Sequence, residues 1–89
     1  MKALIVDDER LARKELMRLL EAHGTIEVVG EATNADEAEK LTTELKPDLL
    51  FLDINMPGRD GFELREALDP APHVIFITAY DEHAVKAFE

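Results

Sequence analysis

The sequence predicts an α/β domain built on a doubly wound parallel sheet, and three observations predict it. Four short apolar runs recur along the 89 residues: Ala3-Leu4-Ile5-Val6, Ile26-Glu27-Val28-Val29, Leu49-Leu50-Phe51-Leu52 and Val74-Ile75-Phe76-Ile77. Three of them are continuous rather than alternating, the pattern of strands buried on both faces. A helical pattern follows each run after a short connection. The order βα, repeated four times, implies right-handed crossovers, a parallel sheet and helices on both of its faces.

Each element has a local reason. After the first strand, Ala12, Leu16, Leu19 and Leu20 share one helical face, and Gly24 is placed to stop that helix. The second run carries Glu27 and reads as the more peripheral strand. Asn34 with Glu37 three residues on is a cap-and-box signal, opening a helix that buries Ala38, Leu41 and Leu45 until Pro47 ends it. A third helix begins near Asp60-Gly61, uses Phe62, Leu64 and Leu68, and is closed by Pro70 and Pro72. Asp81 is placed to cap a fourth, with Ala84, Val85 and Phe88 on one side. No linker, second domain or low-complexity stretch interrupts this order.

Composition narrows the function. Twenty acidic side chains against ten basic give a formal net charge of −10, which opposes contact of this segment with nucleic-acid phosphates or anionic lipid. No cysteine is present, which removes disulfide scaffolds, thiol catalysis and cysteine-based metal centres. No apolar run approaches the roughly 20 residues of a membrane span. A small, acidic, cytoplasmic domain is expected.

The chemistry sits at strand ends. Asp7-Asp8-Glu9 directly follows the first strand and Asp53 directly follows the third. Open α/β sheets bind ligands beyond the carboxyl ends of their strands, where the chain order reverses. If strands one and three are neighbours, Asp7, Asp8 and Asp53 converge. Three crowded carboxylates raise one another's pKa, and a hard divalent cation such as Mg²⁺ relieves the repulsion. The residues thus read as a Mg²⁺-assisted phosphoryl site. The same acid pair also suits a helix N-cap and first turn, and the residues alone leave both readings open.

In order along the chain, Val6-Asp7-Asp8-Glu9, Leu50-Phe51-Leu52-Asp53-Ile54-Asn55-Met56-Pro57-Gly58, Asp60-Gly61-Phe62-Glu63-Leu64 and Ile75-Phe76-Ile77-Thr78-Ala79-Tyr80 resemble a response-regulator receiver domain. The resemblance spans residues 1–89. The segments Asp7–Arg13 and Thr78–Phe88 further resemble the subgroup whose output is a LytTR-type DNA-binding domain. The resemblance implies a flavodoxin-like fold with strand order 2-1-3-4. Asp53 would be the phosphoacceptor, taking phosphoryl from a sensor histidine kinase. Asp8, Asp53 and the backbone carbonyl of Asn55 would hold Mg²⁺, and Asp7 would act through a coordinated water. Thr78 would donate its hydroxyl to a phosphoryl oxygen. The side chains of Asn55 and Tyr80 would tune the lifetime of the phosphoaspartate. Such a domain is a switch controlling a C-terminal output domain, not a turnover enzyme.

The family's lysine comes after a fifth strand, and no lysine here matches it, since Lys86 belongs to the fourth helix. The expectation is therefore a receiver truncated after its fourth βα unit. Such a truncation implies an exposed edge at Val74–Ile77 and a homo-oligomer. The alternative function is a receiver fragment that is never phosphorylated and serves only as an interaction module. A dehalogenase-type phosphatase would need an acid at position 55, where Asn55 stands. An FMN site would need a Ser/Thr/Gly-rich loop in place of Asp7-Asp8-Glu9.

Other conspicuous residues have plainer readings. Met56-Pro57-Gly58 is a turn, and Gly61 serves the backbone. His23, His73 and His83 are assigned to a helix end, a loop and the fourth helix, none of them catalytic. Arg13, Lys14 and Arg18, like Glu37, Glu39 and Lys40, are assigned to solvated helix faces. Arg10 and Leu11 suit a kinase-docking surface by resemblance, and Leu11 suits a core edge equally well.

Overall fold

The computed structural model describes residues 1–54, 58, 61–68 and 72–77. Across them run β1 (Lys2–Val6), α1 (Arg10–Leu20), β2 (Glu27–Ala32), α2 (Ala35–Leu45), β3 (Leu49–Asp53), α3 (Gly61–Ala67) and β4 (His73–Ile77). The four strands form one sheet in the order β2-β1-β3-β4, and every pairing is parallel. The doubly wound fold and the strand order expected from the sequence are both present.

Strand alternation divides the core into two layers. Leu4, Val6, Leu50 and Leu52 pack on one face against Ala35 and Ala38 of α2 and Leu64 of α3. Ala3, Ile5, Leu49 and Phe51 pack on the other face with Leu20, Leu16 and Met17 of α1. Every residue of β3 is buried, as befits a central strand covered on both sides.

β2 carries an irregularity that positions its end. Ala3 pairs with Val28 but Leu4 pairs with Gly30, so Val29 is an extra residue. Val28 accordingly packs on the α1 side, whereas Ala32 packs on the α2 side. One inserted residue switches the side-chain phase of the strand. Gly30 is required here because a Cβ would lie 3.0 Å from Leu45 Cδ1 and 3.2 Å from Leu4 Cδ1.

The helices match the sequence signals with four departures. Asn34 Oδ1 accepts the Glu37 N–H at 2.8 Å, and Glu37 Oε1 accepts the Thr33 N–H at 3.2 Å, so the predicted cap opens α2. α2 ends at Leu45, and its C-cap Lys46 is left-handed at φ 49°, immediately before the buried Pro47. In α1, however, Leu19 is 54% exposed and Met17 takes the predicted core place. Leu11 is 79% exposed, which removes the core-edge reading. Gly24 does not stop α1: the helix ends at Leu20, where the His23 N–H bonds the Leu20 carbonyl at 2.9 Å, and Gly24 has no positive φ. His73 opens β4 rather than lying in a loop.

In α3, Leu64 and Leu68 are buried as expected. Gly58 has φ 81°, a left-handed conformation that fits the predicted turn and suits glycine. The fourth helix, with Asp81, His83, Ala84, Val85, Lys86 and Phe88, lies outside the described residues, as does the Phe62 side chain. No helix among the described residues is long and apolar enough to cross a membrane.

Candidate functional site

Parallel pairing of β1 with β3 sets Val6 beside Leu52, so the next residue of each strand, Asp7 and Asp53, emerges at the carboxyl edge of the sheet beside the other. One carboxylate oxygen from each of Asp7, Asp8 and Asp53 lies within 4.8 Å of the others. Asp7 and Asp53 are buried and Asp8 is exposed. The convergence expected from the sequence is therefore met. Asn55, Thr78 and Tyr80 lie outside the described residues. β4 nevertheless ends beside the acids, with Ile77 in register with Asp53 and its carbonyl accepting the Ile54 N–H at 3.1 Å.

Burial pushes the Asp7 carboxyl up to about 6. The Glu9 N–H, donated to Asp7 Oδ1 at 2.9 Å, pulls the other way. The charge of Asp53, a hydrogen bond shared with it, and the charge of Asp8 add to the rise. The Asp7 carboxyl thus gives up its proton only around pH 6, and a cation beside it would favour the ionised form. Three oxygen donors, one exposed to solvent and no histidine or cysteine among them, suit a hard divalent ion such as Mg²⁺ better than a soft metal.

The capping alternative for these acids does not hold as framed. The N-cap of α1 is Glu9, which makes no side-chain cap bond, and the first turn contains no acid. Asp7 binds the amide of the cap residue, and Asp8 does not cap the helix.

Arg13 departs from the solvated-face reading. Its side chain is only 13% exposed. Nη1 donates to the Asp7 carbonyl at 2.8 Å, and Nε donates to Glu31 Oε1 of β2 at 3.1 Å. The sequence signal was available in its position: helical side chains lean toward the helix N-terminus, so a long one in the second turn of α1 reaches back to the preceding loop.

A parallel sheet in this order with an acidic triad at its carboxyl edge defines a receiver-type α/β domain. The chain belongs to the response regulator receiver domain family, whose model matches residues 3–89. It is 54% identical over 91 residues to an uncharacterized response regulatory protein of Vibrio cholerae, covering 100% of this chain and 38% of that protein. It is 53% identical over 90 residues to the transcriptional regulatory protein BtsR of Salmonella typhi, covering 99% of this chain and 38% of BtsR. The crystal structure of the response regulatory domain of mrkE from Klebsiella pneumoniae superposes with a TM-score of 0.79 at 42% identity, covering 99% of this chain and 75% of that one. The chain spans about 38% of the length of the curated relatives it matches. It is the receiver domain of a two-component response regulator, a signalling module.

Proposed function

We propose that this domain accepts a phosphoryl group at Asp53 from the phosphohistidine of a sensor histidine kinase. The observation that carries the reading is the meeting of the Asp7, Asp8 and Asp53 carboxylates at the ends of β1 and β3. An Asp53 carboxylate oxygen attacks phosphorus in line, the N–P bond to the kinase histidine breaks, and an acyl phosphate forms. Asp8, Asp53 and the Asn55 backbone carbonyl would hold Mg²⁺, with Asp7 contributing through a water. A divalent ion held there would supply positive charge opposite the phosphoryl oxygens. Thr78, next in sequence after the strand that ends beside Asp53, donates its hydroxyl to a phosphoryl oxygen. The side chains of Asn55 and Tyr80 set the lifetime of the product.

In this reading the domain is a cytoplasmic switch rather than a turnover enzyme, and it is the receiver portion of a longer regulator. The name of BtsR supports control of transcription by an output domain. The LytTR type of output rests on the resemblance of residues 7–13 and 78–88. The acidic segment itself does not bind nucleic acid. Self-association is part of the proposal and is read by light scattering at tens of micromolar.

Intact mass after incubation with acetyl phosphate tests the reading. A gain of one phosphoryl group is expected with Mg²⁺, and none without Mg²⁺ or in Asp53→Asn. No gain in a sample that circular dichroism shows to be folded favours the alternative, a receiver acting only as an interaction module.

A further inference from the structure

We infer that Arg13 is a positioning residue for the cation site, holding the Asp7–Asp8 peptide in place through a brace anchored on Glu31 of the neighbouring strand. The inference rests on the proposed cation-binding role of the acids and adds a residue outside the triad.

The β1–α1 turn is held at three atoms of Asp7. Its N–H donates to the Ala32 carbonyl at 3.0 Å, its Oδ1 accepts from Glu9, and its carbonyl accepts from Arg13 Nη1. That carbonyl belongs to the peptide joining Asp7 to Asp8, so its orientation sets where the exposed Asp8 carboxylate starts from. Arg13 in turn is held by Glu31, which pairs with Ile5 one residue before the Ala32 anchor. Two ties thus run from the same end of β2 to one residue of the turn, one direct and one through the guanidinium. The planar fork allows it: Nε and Nη1 donate in fixed relative directions, to Glu31 and Asp7 at once. Lysine, with a single ammonium on a flexible stem, keeps at most part of this brace.

Charge and geometry predict opposite outcomes. Removing a positive charge from the turn that carries Asp7 and Asp8 strengthens cation binding by Coulomb's law. Removing a brace weakens it, as happens when groups that orient metal ligands are lost, typically by about 10- to 100-fold. The sign of the change therefore separates the two roles.

The experiment is calorimetric titration of the full chain with Mg²⁺ at pH 7.5, with Tm measured on the same samples. Asp8→Asn serves as the control for the site itself. Binding about tenfold weaker in Arg13→Ala is expected, with Arg13→Lys intermediate. Glu31→Ala should be weaker by a few fold and lose most of that effect in the Arg13→Ala background. Amide chemical shifts of Asp8 and Glu9 should move in Arg13→Ala before any metal is added. Equal or tighter Mg²⁺ binding in a folded Arg13→Ala, while Asp8→Asn loses it, overturns the brace and leaves the cation site standing. A lower Tm with unchanged affinity also overturns it, since that is a structural role only. Wild type that takes up no Mg²⁺ overturns the cation site and the brace together.

Discussion

Two βα turns lie side by side at the carboxyl edge of the sheet, because β1 and β2 pair directly, and they are built in opposite ways. In the turn before α2, Asn34 and Glu37 satisfy backbone N–H groups, and Asp36 and Glu37 place negative charge at the positive end of the helix dipole. In the turn before α1, the cap residue Glu9 makes no side-chain cap bond, no acid occupies the first turn, and Arg10 opens the helix with a cation. A buried carboxyl, Asp7, is held near pKa 6 instead. One turn uses its polar groups on its own helix. The other directs them toward a centre shared with β3 and tolerates like charges in close contact. Local rules are broken where a functional site requires it.

Predictions that break or sharpen this contrast fall in a clear order of size. The largest effect belongs to Asp8→Asn, which removes an exposed charged donor of the triad. Mg²⁺ affinity should drop by about 100-fold with little change in stability, as read by calorimetry and urea denaturation.

Asp7→Asn should act on stability in the unusual direction. The folded domain holds the Asp7 proton up to about pH 6, whereas the unfolded chain releases it near the ordinary aspartate value. Between those values the native state binds more protons, so this group's contribution to stability falls as pH rises and stays lower above pH 6. Replacing Asp7 by asparagine should therefore stabilise the cation-free domain by about 1–2 kcal/mol at pH 7.5, and by little at pH 4.5. Urea titrations of both proteins at the two pH values check the sign. Added Mg²⁺ should narrow the gap by stabilising wild type.

Asn34→Ala should cost about 1 kcal/mol through loss of the α2 cap and leave Mg²⁺ affinity unchanged, which separates the two turns by function. The smallest effect is expected on the exposed pair of Arg18 with Glu15 on α1, joined at 2.5 Å. Arg18→Ala should leave the urea midpoint essentially unchanged.

Much of this contrast was legible in the sequence. The Asn34–Glu37 box and Pro47 mark both ends of α2 within a few residues, and hydrogen bonds local to the chain decide them. The acids at positions 7, 8 and 53 are visible because each lies at or just past the end of an apolar run. Less legible were Leu19 and Met17, adjacent to Leu20 and Leu16 on the helical wheel. A rotation of α1 by a fraction of a turn exchanges them, and only the sheet beneath decides that rotation. Arg13 reads as one more cation on a charged helix until β2 supplies Glu31 and the preceding loop supplies a carbonyl.

From its residues alone, then, the chain determined the strand runs, the α2 cap and the acids at the strand ends, because periodicity and capping act over a few residues. The tertiary structure decided the rest. Val29 becomes an extra residue in β2 only when the strand is laid against β1, and that shift turns Gly30 and Ala32 toward α2. Asp7 and Asp53 are 46 positions apart in sequence, and their carboxyls come into contact because β1 and β3 pair in register. Electrostatic coupling of this kind depends on distance through space, which short-range pattern does not encode.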